Sequence, residues 1–318
     1  MEKLPLFGII DLTITTMALR MKIFNPYRFS GYVVCLFFAL FTSVSSAKEV
    51  SVKHNNLTLL GEFTQAAKDK KKPLVLLVHG TIAHGKMEII KSLQSLLKQK
   101  GFNSLAITLS LNVNKRRGMY ACDKLHTHKH DDALPEINAW TNWLSKKGYK
   151  NIVLTGHSRG GSQVTRYIAK FKPQAIKKLV LLAPMSATHA QIAKSYNKSS
   201  SKKLAQVLKI AESSKSTKHL KAVSFLHCSK ANVTAASFLG YYKLKETDTA
   251  KLLSKLKLSV KVFAGSDDKI AAGLIAPMKQ AAKSKNVELT VIDGAGHFFR
   301  DLYLEDVVDS MVDFIQKP

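Results

Sequence analysis

The pentapeptide Gly-His-Ser-Arg-Gly at residues 156–160 constrains this 318-residue chain more than any other stretch. It ends a short apolar, β-branched run at 151–155 and leads into a helix-compatible segment at 162–172. A strand that turns directly into a helix through Gly-x-Ser-x-Gly holds the serine backbone in a strained left-handed conformation, with the hydroxyl at the tip of the turn. The two glycines fit because a Cβ would clash where helix and strands meet. We therefore predict a nucleophilic serine at Ser158.

A serine hydroxyl is a weak nucleophile near neutral pH, so it needs a general base and a group that orients the base. A predicted strand at 258–263 is followed by a turn that carries Asp267 and Asp268, and a strand at 287–292 is followed by His297. In an open α/β sheet, groups that follow the carboxyl ends of strands gather at one edge. The sequence therefore predicts a Ser, Asp, His constellation in that chain order.

A buried-type strand at 73–78 ends upstream in His79-Gly80. With the Gly-x-Ser-x-Gly turn, the Gly-x-x-Asp turn at 265–268 and the Gly-His pair at 296–297, it makes four motifs that, in this order, resemble the α/β-hydrolase superfamily over residues 50–318. The resemblance implies an α/β fold with a doubly wound, mostly parallel sheet.

The resemblance also implies the site. Ser158 would be the nucleophile and His297 the base, and Asp268 is preferred as the orienting acid because the family turn reads Gly-x-x-Asp; Asp267 stays open as the alternative. The backbone N–H groups of Thr81 and Arg159 would form the oxyanion hole. No cofactor and no metal is implied.

The rest of the chain alternates strands and helices, which favours a mostly parallel sheet. We predict a hairpin with an Asn-Asn turn at 55–56. Two segments are longer than compact connections usually run: the link at 111–133 and an insertion at 187–257. The insertion is rich in Lys, Ala and Ser and has apolar residues at helical spacing, so we predict a helical lid over the active site. The predicted helices lie at 87–98, 133–147, 235–242 and 303–315.

Residues 1–47 have the pattern of a signal peptide: a basic segment at 21–28, an apolar segment at 31–41 and small residues up to Ala47. The first twenty residues make a long preface, so Met21 is a candidate for the true start. The apolar segment is short for a membrane span, although an uncleaved anchor is the alternative. We predict a periplasmic or secreted catalytic domain at 48–318.

Removal of the leader would leave two cysteines, Cys122 and Cys228. An even pair in an exported protein favours a disulfide, which would tie the lid to the wall of the cleft. Two buried free thiols are the alternative.

The alternating histidines His126, His128 and His130 could suggest a metal site, but zinc sites need further ligands at suitable spacing. We interpret them as a polar loop that lines the substrate cleft.

Forty-nine Lys and Arg against 22 Asp and Glu give a net charge of +27, and residues 187–257 carry 14 Lys and 3 acidic residues. This charge could steer an anionic substrate towards the site or dock the protein at an anionic membrane or envelope surface. The alternative is that it only keeps the helical faces solvated. No nucleic-acid-binding module accompanies the lysines, so nucleic acid is not expected as a partner.

These patterns predict an exported serine hydrolase that cleaves small-molecule or lipid-like carboxylic esters through an acyl-enzyme. The same triad could act on amides or thioesters, or transfer the acyl group to another acceptor. A non-catalytic envelope-binding protein of the same fold is the alternative from a different class. Acyl chain length and oligomeric state are not predicted.

Overall fold

The computed structural model describes residues 47–245 and 247–317, so all but the last residue of the predicted leader lies outside the described residues. The strands, in chain order, are β1 (Lys48–His54), β2 (Leu57–Thr64), β3 (Leu74–Val78), β4 (Asn103–Thr108), β5 (Leu125–His126), β6 (Ile152–His157), β7 (Ile176–Leu182), β8 (His219–Phe225), β9 (Cys228–Thr234), β10 (Ser259–Gly265) and β11 (Val287–Ile292).

The helices are α1 (Glu88–Gln99), α2 (Ala133–Lys146), α3 (Arg159–Phe171), α4 (His189–Ser199), α5 (Leu204–Glu212), α6 (Ala235–Tyr242), α7 (Thr249–Leu253), α8 (Ile275–Ala281) and α9 (Leu302–Gln316), with a 3₁₀ turn at His130–Asp132 before α2. Within the described part of the chain, no helix is both long enough and apolar enough to span a bilayer.

The larger sheet has eight strands in the order β1-β2-β4-β3-β6-β7-β10-β11. Its first two strands are antiparallel to their neighbours, and every pair from β4 to β11 is parallel. All residues of β3, β4 and β6 are buried, as expected where both faces of a parallel sheet are covered. The predicted doubly wound, mostly parallel sheet is confirmed.

The register of this sheet positions the candidate site. Val78 of β3 pairs with Gly156 of β6, so the His-Gly turn and the serine turn leave adjacent strands at the same level. Ile292 of β11 pairs with Gly265 of β10, which brings the acid turn and the histidine loop together in the same way. All four motifs therefore emerge at the carboxyl edge of one sheet.

Several local predictions are confirmed within one or two residues. The hairpin of β1 and β2 turns at Asn55, whose φ of +49° is tolerated by asparagine in a tight turn. The predicted helices at 87–98, 133–147, 235–242 and 303–315 correspond to α1, α2, α6 and α9.

The insertion between β7 and β10 was predicted to be helical, and this is wrong in part. Two of its segments, β8 and β9, form an antiparallel pair of strands. Along β9, Cys228, Ala231 and Val233 are buried while Ser229 and Lys230 are exposed. That pattern approximates the alternation of a half-buried strand. The prediction relied on the Lys, Ala and Ser content, which suits exposed positions of strands and helices alike.

The insertion is also more than a cover, because it has a hydrophobic core of its own. The buried rings of Phe225, Phe238 and Tyr241 pack together there, and Tyr120 from the 111–133 connection joins them. From the same connection, β5 pairs in parallel with β9, which makes a three-stranded sheet. The last helix, α7, instead packs on the main core through Ala250 and Leu253. We call the part of the chain from α4 to α6, together with β5, the cap.

The structure joins Cys122 and Cys228 in a disulfide, the pairing expected from the sequence. Cys122 lies in the connection before β5, and Cys228 is the first residue of β9, 106 residues further along the chain. The bond therefore fixes the turn between β8 and β9 to the 111–133 connection.

Removing this disulfide is expected to destabilise the folded protein, because a bond that closes a long loop restricts the unfolded chain. The double variant Cys122→Ser/Cys228→Ser should lose about 2–4 kcal/mol of the free energy of unfolding. Urea unfolding of the oxidised protein and the variant would measure it, with the wild type under reductant as the control. Equal midpoints for all three would contradict the prediction.

Candidate active site

Ser158 occupies the tight turn between β6 and α3 with φ +55° and ψ −122°, the left-handed backbone predicted for it. Its N–H donates to the carbonyl of Leu182 at 2.9 Å, and its own carbonyl accepts from the N–H of Met185 at 2.9 Å. A Cβ on Gly156 would lie 2.6 Å from the carbonyl oxygen of Gly160, so the turn cannot form without glycine there. The end of β7 thus holds the strained residue from both sides.

His297 and Asp268 form a buried pair beside this turn. Nδ1 of His297 lies 2.7 Å from Oδ2 of Asp268 and donates to it, which leaves Nε2 as the acceptor of the neutral ring. The second oxygen of Asp268 accepts from the N–H groups of Ile270 and Ala271, each at 2.8 Å. Asp267 is exposed, so the carboxylate that contacts the histidine is Asp268.

The hydrogen bonds decide the charge state of Asp268. Burial by itself would raise the pKa of this carboxyl, but the bonds from His297 and from the backbone of Ala271 and Ile270 outweigh it and lower the pKa. Asp268 is therefore an anion at neutral pH, and an anion at this position favours a proton on Nδ1 of His297.

His157, the residue before Ser158, links the serine turn to the histidine loop, a role that the sequence analysis missed. Its Nε2 donates to the carbonyl of His297 at 3.0 Å, and the two rings lie 4.9 Å apart. Burial, with a smaller contribution from His297, lowers the pKa of His157 to about 4, so the ring is neutral and keeps this donor. A contact across 140 residues leaves no local signal in the sequence.

The His-Gly turn after β3 lies directly against the serine, since a Cβ on Gly80 would be 3.2 Å from Cβ of Ser158. His79 braces this turn: its Nδ1 donates to the carbonyl of Gly80 at 2.8 Å, and its Nε2 accepts from the N–H of Leu109 at 3.0 Å. Burial lowers the pKa of His79 well below its usual range, which keeps Nε2 free to accept. Thr81 follows this braced pair.

The side chain of Arg159 connects this residue to Thr81, the other residue that was predicted to form the oxyanion hole. Arg159 is the first residue of α3, so its N–H has no partner within the helix. Its side-chain Nε donates to Oγ1 of Thr81 at 3.0 Å, and its guanidinium lies 5.3 Å from the ring centre of Tyr241 in the cap. The sequence predicted a role only for the backbone of Arg159.

The three alternating histidines were predicted to line the substrate cleft, but all three are buried. Nδ1 of His128 lies 2.8 Å from the hydroxyl of Tyr241, its Nε2 lies 3.2 Å from Nδ1 of His126, and His130 donates to Asp131 at 3.0 Å. Burial lowers the pKa of His128 to about 3 and that of His130 to about 4. Among the described residues, no group of three His, Cys, Asp or Glu side chains is arranged to hold a metal ion.

Residues 73–301 match the family model described as the alpha/beta hydrolase fold, and the chain belongs to that family. The fold is similar to that of Est1E from Butyrivibrio proteoclasticus bound to ferulic acid, with a TM-score of 0.60 and 19% identity over 84% of this chain and 97% of that one. It is also similar to an esterase from Exiguobacterium antarcticum, with a TM-score of 0.57 and 14% identity over 85% of this chain and 100% of that one.

A sequence relative from Mycoplasma pneumoniae (strain ATCC 29342 / M129 / Subtype 1), named as a suspected esterase/lipase, is 28% identical over 140 residues. The match covers 43% of this chain and 46% of the relative, so the chain spans about half the length of that protein.

The buried neutral histidines predict that the fold loses stability on mild acidification. A group whose folded pKa lies below its unfolded pKa of about 6.5 takes up a proton on unfolding, so stability falls as pH drops from about 6.5 to the folded value. For His128 the loss of stability between pH 7 and pH 5 should be about 2 kcal/mol. This pH interval lies above the range in which most carboxyl groups titrate.

The variant His128→Gln should therefore lose about 2 kcal/mol less than the wild type between pH 7 and pH 5, measured by urea unfolding at both values. His189→Gln, which changes an exposed histidine, is the matched control and should behave as the wild type does. An identical pH dependence in all three proteins would show that His128 is not the group responsible.

Proposed function

We propose that this protein is a serine hydrolase that cleaves carboxylic esters through an acyl-enzyme. The observation that carries the proposal is the strained turn of Ser158 at the sheet edge where His297 and Asp268 form their 2.7 Å pair. The esterases among its structural neighbours and the esterase/lipase name of its sequence relative support ester substrates.

In this mechanism Ser158 attacks the ester carbonyl while Nε2 of His297 takes the hydroxyl proton. Asp268 holds the ring in the required tautomer and stabilises the imidazolium that forms. The N–H groups of Thr81 and Arg159 donate to the oxyanion, and His297 then returns the proton to the leaving alcohol. A water molecule, activated by the same ring, releases the acid and restores Ser158.

We also propose that the chain is exported and that its leader is cut after Ala47. Two observations support this: β1 begins at Lys48, and the protein contains a disulfide, which is typical of exported proteins. All fourteen lysines of 187–257 are exposed, which supports peripheral contact with an anionic membrane or envelope surface.

The triad assignment predicts that a fluorophosphonate probe labels the wild type and leaves Ser158→Ala unlabelled. Asp268→Asn should lower kcat for a neutral p-nitrophenyl ester by roughly 10⁴-fold, because the amide favours the wrong tautomer of His297. Asp267→Asn, which makes the same change one residue away on an exposed side chain, should keep the wild-type rate. Labelling of Ser158→Ala, or equal losses in the two Asn variants, would refute the assignment.

The export proposal predicts a mature N-terminus at Lys48 when the full chain is expressed in a bacterial host with its own leader. N-terminal sequencing of the periplasmic and membrane fractions, the latter washed at low and high salt, would test it. Recovery of the uncut chain in the membrane fraction at both salt concentrations would instead indicate an anchor. Release of the processed protein by high salt alone would support electrostatic surface contact.

A further inference from the structure

A positive charge lies next to the proposed nucleophile without a carboxylate to balance it. In the described ranges 47–245 and 247–317, the guanidinium of Arg159 forms no ion pair, and the groups whose charge acts on it most are Tyr241 and Tyr242. Asp131, the acid beside His130, is already bonded to Arg166 at 2.6 Å and to His130 at 3.0 Å. Arg159 is thus a cation among neutral side chains.

The neighbours of Arg159 cannot supply the missing charge. Burial keeps the pKa values of His128 and His130 far below neutrality, and raises the pKa of Tyr241 above its usual range. His227, at the turn between β8 and β9, is affected in the same way: burial and then the charge of Arg159 lower its pKa. At neutral pH these side chains are uncharged.

The donors of Arg159 are mostly available. Its Nε is bonded to Thr81 and its Cζ lies over the ring of Tyr241, and among the described residues its terminal amino groups form no hydrogen bond. The bond to Thr81 and the contact with the Tyr241 ring hold the group in place. A fixed fork of N–H donors matches the two oxygens of a carboxylate.

Burial lowers the pKa of Arg159, although the residue keeps part of its surface exposed. Taking a cation out of water without a partner is unfavourable, so an arrangement of this kind is typical of a group that receives its counter-ion from a ligand. The lysines of the cap do not provide a second buried cation of this kind, since all of them are exposed.

The cap is fastened where it meets this group. His227 is adjacent to Cys228, whose disulfide to Cys122 fixes the hairpin turn. His227 also lies close enough to His297 for a positive charge on the ring of His297 to lower the pKa of His227 further. The hairpin turn is thereby held near Arg159 and the histidine loop.

We propose that the guanidinium of Arg159 binds a carboxylate of the substrate, so that the preferred esters carry a negative charge within a few atoms of the scissile bond. This rests on the proposed ester hydrolysis at Ser158. Because Arg159 directly follows the nucleophile, with Cα atoms about 3.8 Å apart, a side chain of its length reaches only groups near the reacting carbonyl. The carboxylate belongs either to the acyl part or to the alcohol part.

Two pairs of esters separate these sources. For the acyl part, the p-nitrophenyl monoester of glutaric acid is compared with p-nitrophenyl pentanoate; for the alcohol part, 4-acetoxybenzoate is compared with its methyl ester. After subtraction of spontaneous hydrolysis, the wild type should favour the anionic member of one pair by roughly 10- to 100-fold in kcat/KM, the usual effect of a charge-assisted bond.

Arg159→Gln should lower that ratio to near unity, whatever it does to the absolute rates, and Arg159→Lys should keep part of it. Arg117→Gln is the matched control, because it removes the same charge from an exposed side chain paired with Glu49 and should leave the ratio unchanged. Melting temperatures verify that each variant is folded. A second test needs no variant. Glutarate or 4-hydroxybenzoate should protect the wild type from labelling by the fluorophosphonate probe, and their amides should not.

The outcomes separate the two proposals. If the probe labels Ser158 and neutral esters are cleaved, but neither pair shows a preference for the anion, anion recognition is wrong and ester hydrolysis stands. Equal losses on anionic and neutral esters in Arg159→Gln would assign Arg159 a structural role only, and an equal shift of the ratio in Arg117→Gln would assign the preference to overall charge. Without labelling or hydrolysis of any ester, the proposed function itself fails.

Discussion

Close contact between backbones at one sheet edge is the constraint on which the rest of this site depends. The start of α3 rests on the carbonyl groups at the end of β3 and on Gly156 of β6, and a single Cβ on Gly156 or Gly160 would overlap with backbone atoms. Only this closeness lets Ser158 adopt its left-handed backbone and places it against Gly80. The chemistry proposed for the serine is therefore a consequence of how tightly a helix can approach a sheet.

Charge is distributed unevenly around the serine. The anion Asp268 is satisfied by three hydrogen bonds, whereas the cation Arg159 has neutral neighbours. The histidines His79 and His157 are held neutral by burial and form hydrogen bonds with the backbone. The polar groups near the serine are thus oriented before any ligand arrives, which is the condition for electrostatic stabilisation without reorganisation.

The sequence predicted those parts of the molecule that depend on local pattern. The serine turn, the acid turn and the order of strands and helices each require particular residues at fixed spacing, so they could be recognised without knowledge of distant contacts. The bond from His157 to the carbonyl of His297 and the stacking of Arg159 on Tyr241 join residues far apart in the chain. No spacing predicts such contacts. The hairpin of β8 and β9 was missed because its exposed positions have a composition that also suits helices.

The way in which the cap is attached has a consequence for how molecules exchange with the site. A flap that hangs from one hinge can swing aside, but two separate parts of the chain hold this cap. The 111–133 connection supplies β5, which pairs with β9, and Tyr120, which joins the core of the cap. A disulfide also joins Cys122 of that connection to the turn beside His227. An element restrained at separate points cannot rotate as a rigid door. We therefore expect a ligand to reach Ser158 through local rearrangement of side chains rather than through a swing of the whole cap.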